Sequence, residues 1–473
     1  MYKKTTQRLD TAFCQRVREY YAPFTAHYAD YAADYYERRG QIEQALAEWR
    51  VAGRLNDEAV DSKACQALLK SVNATDEQRL AAQMEWARKH AIQGDDQPAL
   101  KFEPYVAGRR ITIGYVCAWW DSATIRGQAL PFIALHDRSR FRLIGYSLEP
   151  CPHDVTQYFE QFRIIRQLSH SAFANLVRAD KVDALVEFTG FSPHHRYAAM
   201  GARCAPVQIS YMNHAGTCGV ANVDYVIADD IAAPAGLDRF YTERIIRLPG
   251  TFFNFNYDWD QFPDSDSVPC LKAGFTTFGC FGSQSKINDA QIYIWAKLLQ
   301  ALPDARLFLR NRSLENGADR DFLLRRFTQW GVDAGRLRLE PGGDRYSILR
   351  DYRAVDISLD TWPYNGGNTI AESLWQGVPV ITLMGRSFAS RYGASLLKAS
   401  GCEDLVAHDI DELIAIAAAL SADKERLVRL RAELRQMMKD FGFADAARFC
   451  REWEATVEGL VRQALPASTS SDG

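Results

Sequence analysis

The stretch of this chain with the most chemical content runs Asp356-Ile-Ser-Leu-Asp-Thr-Trp-Pro-Tyr-Asn-Gly-Gly-Asn-Thr-Ile-Ala-Glu-Ser-Leu-Trp-Gln-Gly-Val-Pro-Val-Ile-Thr382. It reads as a buried strand, a glycine-rich loop and a helix. Gly366 and Gly367 let the main chain approach a ligand closely. Asn368 and Thr369 open the helix, where main-chain N–H groups and the positive end of the dipole favour an anion. Glu372 follows them by four and three residues and shares their helix face. A carboxylate one turn behind a phosphate site is placed to accept ribose hydroxyls. Gly377 and Pro379 end the helix and begin the next strand. A second segment, Phe278-Gly-Cys-Phe-Gly-Ser-Gln-Ser-Lys-Ile-Asn-Asp289, is another strand leaving through small residues, with Lys286 just before a helix. An ammonium about 4 Å from a diphosphate charge gains roughly 4 kcal/mol at an effective dielectric of about 20. That is the size needed to stabilise a nucleoside-diphosphate leaving group.

Such loops need a scaffold that presents strand ends. The chain has 473 residues, enough for about three folding units. Apolar residues make up 47% and charged residues 24%, which excludes a disordered chain, a collagen-like repeat and a coiled-coil rod. The 56 basic and 59 acidic residues leave a net charge of −3, with no global footprint for nucleic acid. None of the ten cysteines pairs at CxxC spacing, so they read as reduced, buried thiols of a cytoplasmic protein. The polar start Met-Tyr-Lys-Lys-Thr-Thr-Gln-Arg predicts no secretory leader, and the lack of a long apolar run predicts no membrane span.

Residues 1–107 read as a helical region. Tyr20, Phe24, Tyr28, Tyr31 and Tyr35 recur at helical spacing, Gly40–Trp49 continues the pattern, and Thr75 is placed to cap a helix beginning Asp76-Glu77. From Arg109 short β-branched runs take over: Ile111–Cys117, Arg142–Ser147, Asp183–Phe188, Val207–Met212, Asp224–Ala228 and Arg244–Leu248. Phe255–Pro269 is polar and reads as a linker. The alternation then restarts with Phe275–Phe281, Arg306–Arg310, Arg336–Leu339, Asp356–Leu359 and Val378–Thr382, separated by helical stretches. This predicts two successive α/β lobes with parallel sheets, 108–262 and 263–440, then a helix over 441–465 and a frayed tail over 466–473. Ligands of such folds lie at the carboxyl ends of strands.

Taken together, the two site segments resemble the O-linked N-acetylglucosamine transferase family, GT41-type enzymes that include bacterial N-glucosyltransferases. The resemblance is carried by Phe281–Lys286 with Ile287-Asn-Asp, by Leu359-Asp-Thr through Leu374-Trp-Gln-Gly-Val-Pro, and by Gly385–Arg391. It extends through Arg110–Val116, Ala205-Pro-Val-Gln-Ile-Ser, His214–Gly219, Asp224–Asp229 and Leu248–Phe253, so it covers about residues 108–410. It implies a GT-B fold, with two Rossmann-like lobes facing a cleft, and Gly40–Trp49 as a degenerate tetratricopeptide-like remnant docked on the first lobe. It also implies inverting transfer of GlcNAc or glucose from a UDP donor to a polypeptide, without metal or other cofactor.

By the same resemblance Lys286 is the essential phosphate-binding lysine, Asn368 and Thr369 hold the diphosphate, and Glu372 binds ribose. Ser283, with Gln284 beside it, stands where relatives carry an amide near the diphosphate. His214, Ala215 and Gly216 match the loop beside the donor sugar, and Asp154 matches a first-lobe aspartate considered for acid–base work. The family's acceptor-side histidine is replaced near Ala123, and Ile348 stands where an imidazole would meet uridine. The base is therefore open among Asp154, Asp121, His153, His194, His195 and His214. Arg310 and Arg345 could reach the diphosphate, Trp119-Trp120 could stack on substrate or pack in a core, and Asp264-Ser-Asp266 reads as a solvated turn. A UDP-sugar-binding protein without transfer activity, and a transferase with a non-protein acceptor, are the competing readings.

Overall fold

A computed structural model describes residues 25–53, 56–93, 102–256 and 268–466. Tyr20, Phe24, Asp264, Asp266, the 262/263 lobe boundary and most of the tail lie outside them.

The first helices are α1 (Thr25–Arg38), α2 (Ile42–Ala52), α3 (Glu58–Leu68) and α4 (Asp76–His90). The contact face of α1 overlaps the tyrosine stripe only in part. Ala29, Ala32 and Ala33 are buried with Tyr35 and Tyr36, while Tyr28 and Tyr31 stay half-buried. Small side chains let α2 approach, with Ala45, Trp49 and Ala52 in the same core. Thr75 caps α4 as expected: its hydroxyl accepts from the Gln78 N–H and the Gln78 side chain accepts from the Thr75 N–H.

The described residues form two compact units, one holding 25–74 with 268–443, the other 75–256 with 444–466. The helical region is thus divided rather than docked whole on the first lobe. The physical reason lies in its contacts. Arg39 pairs with Asp319 (2.5 Å), and a Cβ on Gly40 would run into the Ile287 carbonyl, so the α1–α2 corner belongs to the later unit. Trp86 of α4 packs edge-on against Phe191 (5.0 Å), which places α4 in the other. Gly40 has φ +75°, so Gly40→Ala meets both strain and the carbonyl. It is expected to cost about 2–4 kcal/mol, read by calorimetric melting.

The unit containing 75–256 is built on β1 (Ile111–Cys117), β2 (Phe141–Ser147), β3 (Gln161–Ile164), β4 (Ala184–Glu187), β5 (Val207–Ser210), β6 (Tyr225–Ala228) and β7 (Arg244–Arg247). All neighbours are parallel, in the order β3-β2-β1-β4-β5-β6-β7. β1, β4 and β5 are buried along their whole length, which is why their sequences read as continuous apolar runs. β3 has no such run because it is a half-exposed edge strand. The residues expected as a separate helix over 441–465 return to this unit as a C-terminal helix, Ala446–Ala464. Its Trp453 is fully buried, stacks near Tyr211 (4.9 Å) and donates from Nε1 to the Tyr115 hydroxyl (2.8 Å).

The other unit carries β8 (Thr277–Cys280), β9 (Arg306–Asn311), β10 (Leu337–Pro341), β11 (Ile357–Leu359), β12 (Val380–Leu383) and β13 (Val406–Ala407). Its helices include α5 (Asp289–Ala301), α6 (Asn368–Trp375), α7 (Tyr392–Lys398) and α8 (Lys424–Asp440). The order is β10-β9-β8-β11-β12-β13, again parallel. Winding runs one way from β8 to β10 and the other way from β11 to β13. The carboxyl ends of β8 and β11 therefore flank a topological switch point, where loops diverge and leave room for a ligand. β13, two residues long, gave no periodic signal to read.

Candidate functional site

At that switch point the chain leaves β8 through Gly282 and Ser283 and makes one tight turn, Gln284–Lys286. Lys286 is half-buried; its Nζ donates to the Asn365 carbonyl (2.7 Å) and lies 4.1 Å from the centre of the Tyr364 ring. Opposite, β11 ends at Asp360, whose carboxylate organises the loop that follows. Its Oδ1 accepts from the N–H groups of Thr361 (2.8 Å) and Gly366 (2.7 Å), and its Oδ2 from the Thr382 hydroxyl (2.6 Å). The loop thus bends round a buried anion. Asn365, fully buried, ties the same loop with Nδ2 to the Thr361 carbonyl (2.7 Å) and Oδ1 to the Gly393 N–H (3.2 Å). Residue 393 must be glycine, because a Cβ there would strike Thr382 and press to 2.6 Å on Asp360. Burial lowers the Lys286 pKa and raises that of Asp360, and each charge partly offsets the shift of the other.

Gly367 caps α6 at φ −114°, ψ −83°, with no side-chain cap. The amino end of α6, with Asn368 and Thr369, follows Asn365, whose carbonyl holds Lys286, after the two glycines 366 and 367. Main-chain N–H groups, a dipole end and an ammonium on one short loop suit a doubly charged phosphate ligand. Gly366 is required by crowding: a Cβ would run into the Thr369 hydroxyl. Glu372, one turn on, is buried and pairs with Arg345 (2.8 Å); burial raises its pKa despite that arginine. Arg345 is therefore beside Glu372. Arg310 is spent on Asp351 and the Pro341 carbonyl (3.1 Å). Ser283 is exposed on the Lys286 turn, and Gln284 is buried beneath it. The Gln284 Oε1 accepts from Asn311 (3.0 Å), and its Nε2 is a buried donor without a partner.

The expected first-lobe residues fare differently. His214 is buried against Phe191 (4.8 Å), and its Nε2 donates to the Thr217 carbonyl (2.8 Å). The proton is thus on Nε2, and burial pulls the imidazole down to about 4. His214, expected beside the donor sugar, thus lies buried under the loop, with Ala215 buried beside it and Gly216 partly exposed. Asp154 is exposed and paired with Arg126 (2.7 Å), which also holds Asp121 (2.7 Å). Hydrogen bonds from Arg126 lower the Asp154 pKa, so its carboxylate is a weaker base than an ordinary aspartate. His195 is buried among Trp86 and Tyr197, whereas His194 is exposed at φ +70°. Trp120 is core, its Nε1 on the Tyr146 carbonyl (2.9 Å); Trp119 is exposed.

Two buried acids, one in each unit, escaped the sequence reading. Asp360 is one. The other is Glu187, fully buried at the carboxyl end of β4, where burial pushes its pKa up to about 7. It accepts from the N–H groups of Thr189 (2.6 Å) and Arg196 (3.2 Å) and so pins both ends of the loop after β4. The available signal was a lone acid closing an apolar run. Among the described residues, His136, Cys450 and Glu454 are the group close enough to share an ion. Their hydrogen bonds already form a complete relay. Trp453 donates to Tyr115, Tyr115 to His136 Nε2 (2.8 Å), and His136 Nδ1 to Glu454 (3.0 Å). The relay fastens the C-terminal helix.

Two open parallel sheets, with a lysine turn and a glycine-led helix start converging at the switch point of the second, are the arrangement of the GT-B fold. The chain belongs to Glycosyl transferase family 41, whose pattern matches residues 71–263 and 271–453. A lysine-to-methionine variant of the Thermobaculum terrenum O-GlcNAc transferase is 31% identical and superposes with a TM-score of 0.87, over 96% of this chain and 88% of that one. The probable UDP-N-acetylglucosamine–peptide N-acetylglucosaminyltransferase SPINDLY of Petunia hybrida is 31% identical over 75% of this chain. The UDP-N-acetylglucosamine–peptide N-acetylglucosaminyltransferase of Caenorhabditis elegans is 21% identical over 73%. This chain spans about two fifths of the length of these two relatives, 39% and 40%. No helix among the described residues is long and apolar enough to cross a membrane.

Proposed function

We propose that this chain transfers GlcNAc or glucose from a UDP donor to a polypeptide side chain, with inversion and without a metal. The observation that carries the reading is the Lys286 ammonium held on the Asn365 carbonyl at 2.7 Å, beside the amino end of α6. In this reading Lys286 and the N–H groups of α6 neutralise the diphosphate as the sugar departs. Glu372 takes the ribose hydroxyls, with Arg345 fixing its orientation. The names of the relatives support a UDP-GlcNAc donor and a peptide acceptor.

The test is incubation with labelled UDP-GlcNAc and UDP-glucose in cell lysate, with and without EDTA, read by intact mass and labelled-protein gels. One sugar mass on protein is expected, unchanged by chelation. Loss of transfer with EDTA would remove the metal-free part, and label on small molecules alone would remove the polypeptide acceptor. The buried His214 and the ion-paired Asp154 favour one second reading, a UDP-sugar-binding protein without transfer. It predicts thermal stabilisation by UDP and no label on anything.

A further inference from the structure

The segment spanning α1 to α3 touches the Lys286 turn directly. Lys70, two residues past α3, is buried, and among the described residues its ammonium has two partners. One is the Glu37 carboxylate of α1; the other is the Ser285 hydroxyl (3.3 Å), on the turn that ends in Lys286. Ser285 in turn lies 3.1 Å from the Ser283 hydroxyl. The α1–α2 corner sits on the Ile287 carbonyl, one residue past Lys286, so tightly that only glycine fits at position 40. On its other side the segment is tied to the Asp360 loop, Asn288 donating to the Trp362 carbonyl (3.1 Å) and Trp362 N–H to Gln291 (2.5 Å). The turn is thus gripped between the loop after β11 and helices more than 200 residues earlier in the chain.

We propose that this helical region is a working part of the donor site, in which Lys70 positions the Lys286 turn and adds a second positive charge to the field a diphosphate meets there. The inference rests on the UDP-donor reading above. The groups facing Lys286 are Asp360, Lys70, Cys280 and the Tyr364 ring. Burial lowers the Lys286 pKa, and Lys70 lowers it further, so the two ammonium groups feel each other. A bound diphosphate relieves that repulsion, whereas an uncharged nucleoside does not. Glu37 opposes Lys70, so removing Glu37 acts in the opposite direction from removing Lys70.

The experiment is calorimetry with UDP, ligand-observed NMR with uridine and steady-state kinetics on the full chain, comparing wild type, Lys70→Gln and Glu37→Gln. Lys70→Gln is expected to weaken UDP and raise the donor KM about tenfold, with kcat changed less than about threefold and uridine unaffected. Glu37→Gln is expected to tighten UDP about two- to threefold. Unchanged UDP affinity in Lys70→Gln, or equal losses for uridine and UDP, would overturn the inference and leave a packing residue. If Lys70→Gln gives no cooperative melt, Glu37→Gln alone decides: tighter UDP supports the inference, unchanged or weaker UDP overturns it. Wild type giving no heat with UDP takes down the donor reading and this inference together; wild type binding with unaltered variants takes down the inference alone.

Discussion

Lys286→Ala is expected to lower kcat for donor hydrolysis and transfer about 10³-fold while the chain still melts cooperatively. The size follows from removing one preorganised charge at the place where a leaving diphosphate develops its own. Alanine leaves no buried charge behind except Asp360, whose carboxylate keeps hydrogen bonds from Thr361, Gly366 and Thr382 and can take up a proton. Folding should therefore survive. The same lysine sets a pH dependence. Burial pulls its pKa down to about 8, with Lys70 adding to the fall and Asp360 and Cys280 resisting it. The ammonium is the binding form, so affinity for UDP should hold below that value. Above it, affinity should fall about tenfold per pH unit, with a proton taken up on binding. Titration calorimetry from pH 7 to 10 checks this. Near-normal turnover in Lys286→Ala, or a flat pH profile, would remove the lysine from the site.

Asp360 should give the second large effect, and two substitutions separate its jobs. Asp360→Ala leaves two loop N–H groups and the Thr382 hydroxyl without their acceptor and the nearby Lys286 ammonium without its counter-charge. Breaking a buried pair of this kind costs about 3–5 kcal/mol, visible in urea titration. Asp360→Asn retains an oxygen for the N–H groups of Thr361 and Gly366, and its amide can donate to Thr382 in place of accepting. Stability should stay close to wild type. The charge is lost, however, and with it the largest influence that holds the proton on Lys286 against desolvation. UDP affinity at pH 7.5 should weaken about threefold and the alkaline limb should move down by about one pH unit. An unmoved limb would mean that the carboxylate serves the loop alone.

The contrast between these two residues shows what can be read from a linear chain. Lys286, Asn368, Thr369 and Glu372 announce themselves, because an ammonium after small residues and polar groups at a glycine-led helix start are local patterns. Asp360 sits inside the same quoted motif, yet its meaning depends on Thr382, Gly393 and a lysine 74 residues upstream. Lys70 is separated from Ser285 by 215 residues. His214 looks like a loop imidazole until Phe191 and the Thr217 carbonyl enclose it. The strands follow the same division. Buried β1, β4 and β5 were legible as apolar runs; β3 and β13 were not, one being a half-exposed edge and the other two residues long.

The C-terminal helix has a consequence for how the molecule is made. Trp453 and Glu454 fill the core beside Tyr115 and His136, so the first sheet lacks an aromatic plug and a carboxylate until those residues leave the ribosome. The unit built on the second sheet has all its described parts once Phe443 has emerged. The sheet synthesised first is thus finished last, and a nascent chain that has emerged as far as residue 445 carries one closed unit and one with an open greasy flank, a substrate for holding chaperones.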